Sequence, residues 1–442
     1  MDYISQIIFV LILGFFGFLI AKRILRIRAN IHLGKSTEIK GNKSERIKTM
    51  MLVAFGQRKM FKRIIPATFH FFIYVGFILI NLEVLEIILD GILGTHRLFA
   101  PVLGSFYTGL ISFFEVLAVM VIVGCVVFLV RRNIFKIDRF HKIEMKGWPT
   151  LDANLILVIE IVLMAAILSM NAADQVLQER GMSHYTTTGS FLISSALVPL
   201  LEKLPAGGLL LIERSAWWFH IVGIFAFALY VTYSKHLHIF LAFPNTYFSN
   251  LEPNGKMNNM DEITSEVKIM LGMPMETEAA PPPEGMKFGA KDVNDLTWKN
   301  LMDAYSCTEC GRCTSECPAN LTGKKLSPRK IMMDTRDRAE DVGLLIQKGE
   351  KGFEDGKSLL GDYISKEEIN ACTSCNACVE ACPVNINPLE IILQLRRFVA
   401  MEESAAPASW NSMFSNVETN FAPWKFSPTD RFNWADELKS KS

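Results

Sequence analysis

The sequence predicts an all-α membrane domain of five transmembrane helices, followed by a small, mainly α-helical domain organised by cysteines. Three observations carry this reading. Half of the 442 residues are hydrophobic and the mean hydropathy is +0.24, with the excess held in long apolar runs in the first half of the chain. Five of those runs approach or exceed the roughly 20 residues a helix needs to cross a bilayer. Eight of the nine cysteines fall in two identical motifs in the last third.

The candidate spans are 4–21, 64–89, 107–130, 152–170 and 214–243. The first has no basic residue before its apolar run, while Lys22, Arg23, Arg26 and Arg28 follow it. That order suits an uncleaved span rather than a signal peptide. The stretch 189–212 is apolar but broken by Pro199, Pro205, Gly207 and Gly208, and reads as an interfacial or re-entrant piece. Thirteen Lys and Arg residues lie in 22–63 and six in 131–146, whereas the loop between spans two and three offers only Arg97. Positive charge marks the cytoplasmic side. The N-terminus is therefore expected outside a bacterial inner membrane, and the region after span five in the cytoplasm. Trp217 and Trp218 open span five as interface anchors.

The domain boundaries follow composition. Residues 1–248 form the membrane domain, and 249–290 a polar linker with Pro281, Pro282, Pro283 and Gly285. Residues 291–400 form the cysteine domain, with helical stretches at 334–347 and 366–371 between its motifs. Residues 401–442, rich in Ser, Asn, Pro and Trp, read as an extended tail. The net charge of +1 gives no reason to expect nucleic acid or an acidic substrate.

Each cysteine motif reads C-x2-C-x2-C-x3-C-P: Cys307, Cys310, Cys313 and Cys317 before Pro318, then Cys372, Cys375, Cys378 and Cys382 before Pro383. This is the spacing of ferredoxin-like domains that hold two [4Fe–4S] clusters. Clustered cysteines also argue for metal ligands in a reducing compartment over a disulfide framework. The fourth cysteine of such a motif ligates the other cluster. The expected sets are therefore Cys307, Cys310, Cys313 and Cys382 for cluster 1, and Cys372, Cys375, Cys378 and Cys317 for cluster 2. A pair of zinc sites is the alternative, but zinc patterns seldom carry a third C-x2-C cysteine followed by C-P. Cys125, inside span three, reads as a small buried apolar residue.

Intramembrane histidine is costly and marks function. His70 lies early in span two. His220 and His238 are 18 residues apart in span five, five helical turns on one face and about 27 Å apart. His236 is rotated away from that face. Axial haem ligation suits such a pattern. His70 and His238, both near the cytoplasmic side, would hold one haem b. His220 would serve a second haem, with His96 in the outer loop as its substitute partner. A packing role is the alternative for each. His32, His141 and His184 read as solvated loop residues. Glu83, Glu86, Glu115 and Glu160 in the spans suit proton or quinone pathways, or burial against helix partners. No catalytic base is assigned among them.

The stretch from His220 through 234–240 (SKHLHIF) resembles the last span of the respiratory nitrate reductase gamma subunit, a five-span dihaem cytochrome b. The resemblance implies haem ligation by His220 and His238 but not His236. Span two matches at His70 and lacks the family's second histidine. Five further stretches resemble the membrane-bound iron–sulfur oxidoreductases related to heterodisulfide reductase. They are 70–77 (HFFIYVGF), 295–298 (DLTW), 307–313 (CTECGRC), 322–329 (TGKKLSPR) and 382–388 (CPVNINP). That family includes members proposed to connect electron-transfer flavoprotein to menaquinone, which the resemblance implies as the expected link here. Single-chain members continue into cysteine-rich CCG modules that this sequence lacks. Its 420–424 (NFAPW) and 431–436 (RFNWAD) look like the segment preceding them, which implies a separate CCG-bearing subunit or a flavoprotein docking at the tail.

The expected function is electron transfer between a cytoplasmic redox partner and the quinone pool, through two [4Fe–4S] clusters and haem b. The alternative is a haem-free, redox-sensing iron–sulfur membrane anchor. A stand-alone enzyme is disfavoured, because no Gly-rich nucleotide loop or nucleophile constellation is present.

Overall fold

The computed structural model describes residues 2–253, 255–273, 287–349 and 355–440. About 70% of it is helical, and no strand occurs among the described residues. Five helices are long and apolar enough to cross a membrane: Asp2–Ile31, Ile64–Leu93, Ser105–Asn133, Trp148–Glu179 and Ala206–Val231. At 1.5 Å per residue each is longer than a hydrocarbon core of about 30 Å. The second helix stops where Gly94 takes a left-handed conformation and its N–H returns to the Asp90 carbonyl at 2.8 Å.

Neighbours in sequence pack as neighbours in space: the second helix on the third, the third on the fourth and the fourth on the fifth. The first leans on the second and fifth, with much of its surface exposed. Its Phe9 is nonetheless 1% exposed. Gly91 makes room for that ring, since a Cβ there would lie 2.7 Å from it.

The fifth span departs from expectation. It ends at Val231, and the chain then breaks, forms a short 3-10 turn at Lys235–Leu237 and starts a new helix, His238–Tyr247. Asp152 on the fourth span causes the break. Its carboxylate accepts from the Ser234 hydroxyl at 2.7 Å, the Lys235 N–H at 3.2 Å and the Tyr230 hydroxyl. The stretch joining His220 to His238 is therefore not one continuous helix, and the shared face inferred from a 3.6-residue period does not hold.

The apolar stretch 189–212 also divides. Its last part begins the fifth span, while Phe191 and Ser194 are buried in the bundle. Glu115 holds this segment by accepting from the Ile193 N–H at 2.8 Å and the Ser194 N–H at 3.1 Å.

The cysteine portion is welded to the bundle. Ile27 and Ile31 from the end of the first span share a core with Leu301, Tyr305, Ile331, Val342 and Leu395. Arg23 grips Glu340 with two bonds of 2.8 Å, and Asn30 donates to the Tyr305 hydroxyl at 2.9 Å. Lys35 pairs with 296–298 through backbone bonds of 2.7 and 3.1 Å. In the linker, Asp261–Met270 is helical. Pro281–Pro283 and Gly285 lie outside the described residues. The tail is not extended: it forms helices Ala408–Asn420 and Asn433–Ser440. Its apolar residues at 410, 413, 414, 417 and 421 recur at helical spacing, which favours coiling over extension.

Candidate metal centres

Both cysteine motifs fold alike. Glu309 and Ser374, each two residues after a first cysteine, have φ of 54°. Gly311 and Asn376, each following a second cysteine, have φ of 70° and 60°. Gly and Asn are the residues that tolerate the left-handed region, and their placement winds each C-x2-C-x2-C run into a tight loop. A Cβ on Gly311 would meet Arg329 Nη1 at 2.4 Å, so the first loop also needs a side chain of zero size.

Cys307, Cys310 and Cys313 line one cavity together with Cys382, which belongs to the second motif. Conversely, Cys317 of the first motif lies within electrostatic reach of Cys372 and Cys378, as does Cys375. Cys307, Cys317, Cys378 and Cys382 are buried, Cys310, Cys313 and Cys372 half-buried, and Cys375 exposed. Burial pushes the thiols of Cys307 and Cys378 up to about 12, aided at Cys307 by the charge of Glu309 and then of Cys310 and Cys382, and at Cys378 by neighbouring cysteines; burial and the charge of Cys310 lift Cys382 to about 11. Such groups become thiolates when a metal cluster supplies compensating charge. Backbone N–H groups already point at sulfur: Ile386 to Cys382 at 3.3 Å and Ser374 to Cys372 at 3.4 Å. Four sulfurs around an open cavity, with peptide donors to sulfur, fit a cluster. Among the described residues no three His, Cys, Asp or Glu side chains converge on a single-ion site.

The rings of His70 and His238 face each other with centroids 6.5 Å apart and planes at 43°. Two metal–nitrogen bonds of about 2 Å plus the imidazole half-widths put such centroids about 6 Å apart across one ion. Each ring has its other nitrogen engaged: His70 Nδ1 with Gln57 Oε1 and His238 Nδ1 with the Lys235 carbonyl, both at 3.1 Å. That leaves Nε2 as the free donor atom on both rings, the usual arrangement of a ligating histidine. His236 joins the group 5.4 Å from His238, which the helix break makes possible. His220 is 0% exposed, donates Nδ1–H to the Leu163 carbonyl at 2.9 Å, and its Nε2 has no partner. His96 does not serve as its substitute partner. Both ring nitrogens of His96 are taken, one by Asp174 at 3.2 Å and one by the Thr186 N–H at 3.2 Å. His32, His141 and His184 are exposed.

The two sites touch. Lys235 Nζ pairs with Glu309, inside the first cysteine loop, and Arg336 binds the same carboxylate at 2.9 Å. Burial opposes the charge of Glu309, but Arg336 and Lys235 hold its carboxyl below the usual range. Arg312 in that loop donates to the Lys59 carbonyl at 3.3 Å, two residues from Gln57. Sequence reading missed Gln57, Lys235 and Glu309, because only the break after Val231 brings their elements together.

At the far end of the bundle a second polar cavity is lined by Glu83, Glu86, Asp90, His96, Arg97 and Asp174, among others. Arg97 is its hub, bonded to Asp174 at 2.7 Å and Asn171 at 2.8 Å. Tyr107 donates to Glu86 at 2.6 Å, and Asn171 to Glu115 at 3.1 Å. These two carboxylates are thus paired. Glu83 keeps one buried oxygen with no partner.

A family model for a 4Fe-4S dicluster domain matches residues 306–386. The probable iron-sulfur-binding oxidoreductase FadF of Bacillus subtilis is 27% identical over 462 residues, 98% of this chain and 61% of the relative. The EtfAB:quinone oxidoreductase of Syntrophomonas wolfei is 27% identical over 423 residues, 89% of this chain and 54% of the relative. A probable membrane-anchored ferredoxin of Chromohalobacter salexigens is 30% identical over 175 residues, 34% of this chain and 24% of the relative. The chain thus spans only part of the length of these iron–sulfur relatives. No solved structure matches it.

Proposed function

We propose that this iron–sulfur chain is an electron-transfer protein of the bacterial inner membrane, working between a cytoplasmic redox partner and a membrane quinone, menaquinone by resemblance. Its N-terminus would lie outside and its cysteine portion in the cytoplasm. Cys307, Cys310, Cys313 and Cys382 would hold one [4Fe–4S] cluster, and Cys372, Cys375, Cys378 and Cys317 the other. His70 and His238 would hold haem b, and His220 is the candidate ligand should the chain carry a second. These groups supply one-electron chemistry when bound. The chain's own residues fix geometry: Gln57 and the Lys235 carbonyl orient the two imidazoles, the first helix anchors the cysteine portion to the bundle, and apolar packing excludes water. The partner would be a flavoprotein such as electron-transfer flavoprotein, or a separate CCG-bearing iron–sulfur subunit, and the relative named as an EtfAB:quinone oxidoreductase supports the first.

The observation that carries the reading is the His70–His238 pair, 6.5 Å apart, joined through Lys235 to Glu309 between two cysteines. A pyridine haemochrome assay with iron and sulfide determination on the purified membrane protein tests it. One haem per chain with about nine irons, eight of them in the clusters, is expected, and two haems would assign one to His220. No haem would leave the iron–sulfur anchor reading in its place.

A further inference from the structure

The two loops that carry the membrane-topology signal also wrap the first cysteine site. From the loop after the first span, Lys59 reaches the Val379 carbonyl at 3.5 Å, within electrostatic range of Cys382. From the loop after the third span, Arg139 lies beside Cys310, and its carbonyl accepts from Arg329 at 2.6 Å. Arg329 is 0% exposed and lines the same cavity as Cys307, Cys310, Cys313 and Cys382, as does Arg312. Three carboxylates stand nearby. Glu380 pairs with Lys62 and acts on Lys59. Glu309 is paired with Lys235 and Arg336, and Glu144 with Arg329 at 2.7 Å. Among the described residues Arg139 and Arg312 enter no ion pair, and Arg312 lines the cavity, while the charge of Lys59 is shared with Glu380.

The second cysteine site is different. Arg396 is the cation beside Cys372, and its guanidinium is saturated by the carbonyls of Ile369, Asn370 and Cys372 and by the Ser374 hydroxyl. Cys375 is open to solvent.

We propose that Lys59, Arg139, Arg312 and Arg329 form a cationic collar that holds the cluster of Cys307, Cys310, Cys313 and Cys382 at a higher reduction potential than the cluster of Cys372, Cys375, Cys378 and Cys317. The inference rests on the iron–sulfur reading above and adds an order to it. A [4Fe–4S] cluster that accepts one electron becomes one unit more negative, with no bond made or broken and no proton moved. Fixed cations in a water-poor site stabilise that added charge more than they stabilise the oxidised form. Water at Cys375 pulls the other way by solvating the reduced second cluster. It acts at one edge only, while the collar surrounds the first site from three segments of chain. The exposed cluster is then the one that meets a reduced flavin or iron–sulfur partner. The collared cluster, joined to His238 through Glu309 and Lys235, is where the electron settles before leaving for the bundle.

The test is an anaerobic redox titration of the full-length purified protein, followed by electron paramagnetic resonance, with iron content measured on each variant. Two reduction steps are expected. Arg139→Gln and Lys59→Gln, neither in a cysteine loop, should each lower the upper step and leave the lower one in place. Arg396→Gln should move the lower step only. The collar is overturned if Arg139→Gln and Lys59→Gln leave both steps unmoved at full iron content, or if they shift the lower one. A variant that loses iron drops out, and the other decides. Absence of any cluster signal in the unmodified protein would instead overturn the iron–sulfur reading itself.

Discussion

Lys235 is bonded at both ends: its carbonyl accepts the ring N–H of His238 at 3.1 Å, and its ammonium pairs with Glu309, in the loop between Cys307 and Cys310. One residue thus ties the orientation of a histidine in the bundle to the shape of a cysteine loop. Its side chain is 8% exposed and that of Glu309 3%, so neither charge has water as a substitute partner.

Removing the cation should therefore be costly. Lys235→Met leaves the buried carboxylate of Glu309 with Arg336 alone, and a loss of about 1.5–3 kcal/mol is expected for one charge-assisted hydrogen bond. Denaturant unfolding in detergent measures it.

The same pair predicts a pH dependence. The Glu309 carboxyl sits below its ordinary value because of Arg336 and Lys235, after allowing for the opposing effect of burial. Its contribution to stability is complete above the ordinary carboxylate range near 4.5 and is lost as the pH falls through the folded-state value. Thermal scans carried from neutral pH to well below the ordinary carboxylate value should show a drop there that Glu309→Gln makes shallower.

The crossed cysteine sets predict crossed damage. Cys382→Ser should perturb the spectrum of the cluster held by Cys307, Cys310 and Cys313, and Cys317→Ser that of the cluster held by Cys372, Cys375 and Cys378. Electron paramagnetic resonance of each variant, with iron content, distinguishes this from damage confined to each cysteine's own motif.

Gly311→Ala should destabilise the first loop by about 1–3 kcal/mol, since the new methyl meets Arg329 at 2.4 Å and the residue has φ of 70°. Asn376→Ala, at the matching position of the second loop, tests backbone strain without the Arg329 clash and should cost less. Thermal unfolding with bound iron as a second readout compares the two.

Haem binding should depend on the orienting groups as well as the ligands. His70→Ala and His238→Ala should abolish the haemochrome signal. Gln57→Leu should retain haem more weakly, by about 10- to 100-fold, because the His70 ring loses its anchoring partner. Haem titration of the apoprotein reads the difference.

Five membrane helices were legible because an apolar run of some 20 residues is a one-dimensional signal. The cysteine motifs were legible for the same reason, their spacing being local. The break at 232–234 was not, since Asp152, some 80 residues away, provides the acceptors that stop the helix. The three-histidine group followed from that break, so His236 looked misdirected when the span was read as one regular helix. Arg97 read as a lone loop charge because its partners Asn171 and Asp174 arrive from another span. The tail was misjudged through its polar composition, which hid an apolar stripe from Trp410 to Phe421.

The first helix gives the chain a constraint on how it can be made. Ile27, Ile31, Asn30 and Arg23 leave the ribosome long before the residues they pack against, Tyr305 and Glu340 among them. The core of the cysteine portion therefore stays open until the first helix is in place beside it. A fragment starting after the last span would present an open seam where that helix belongs.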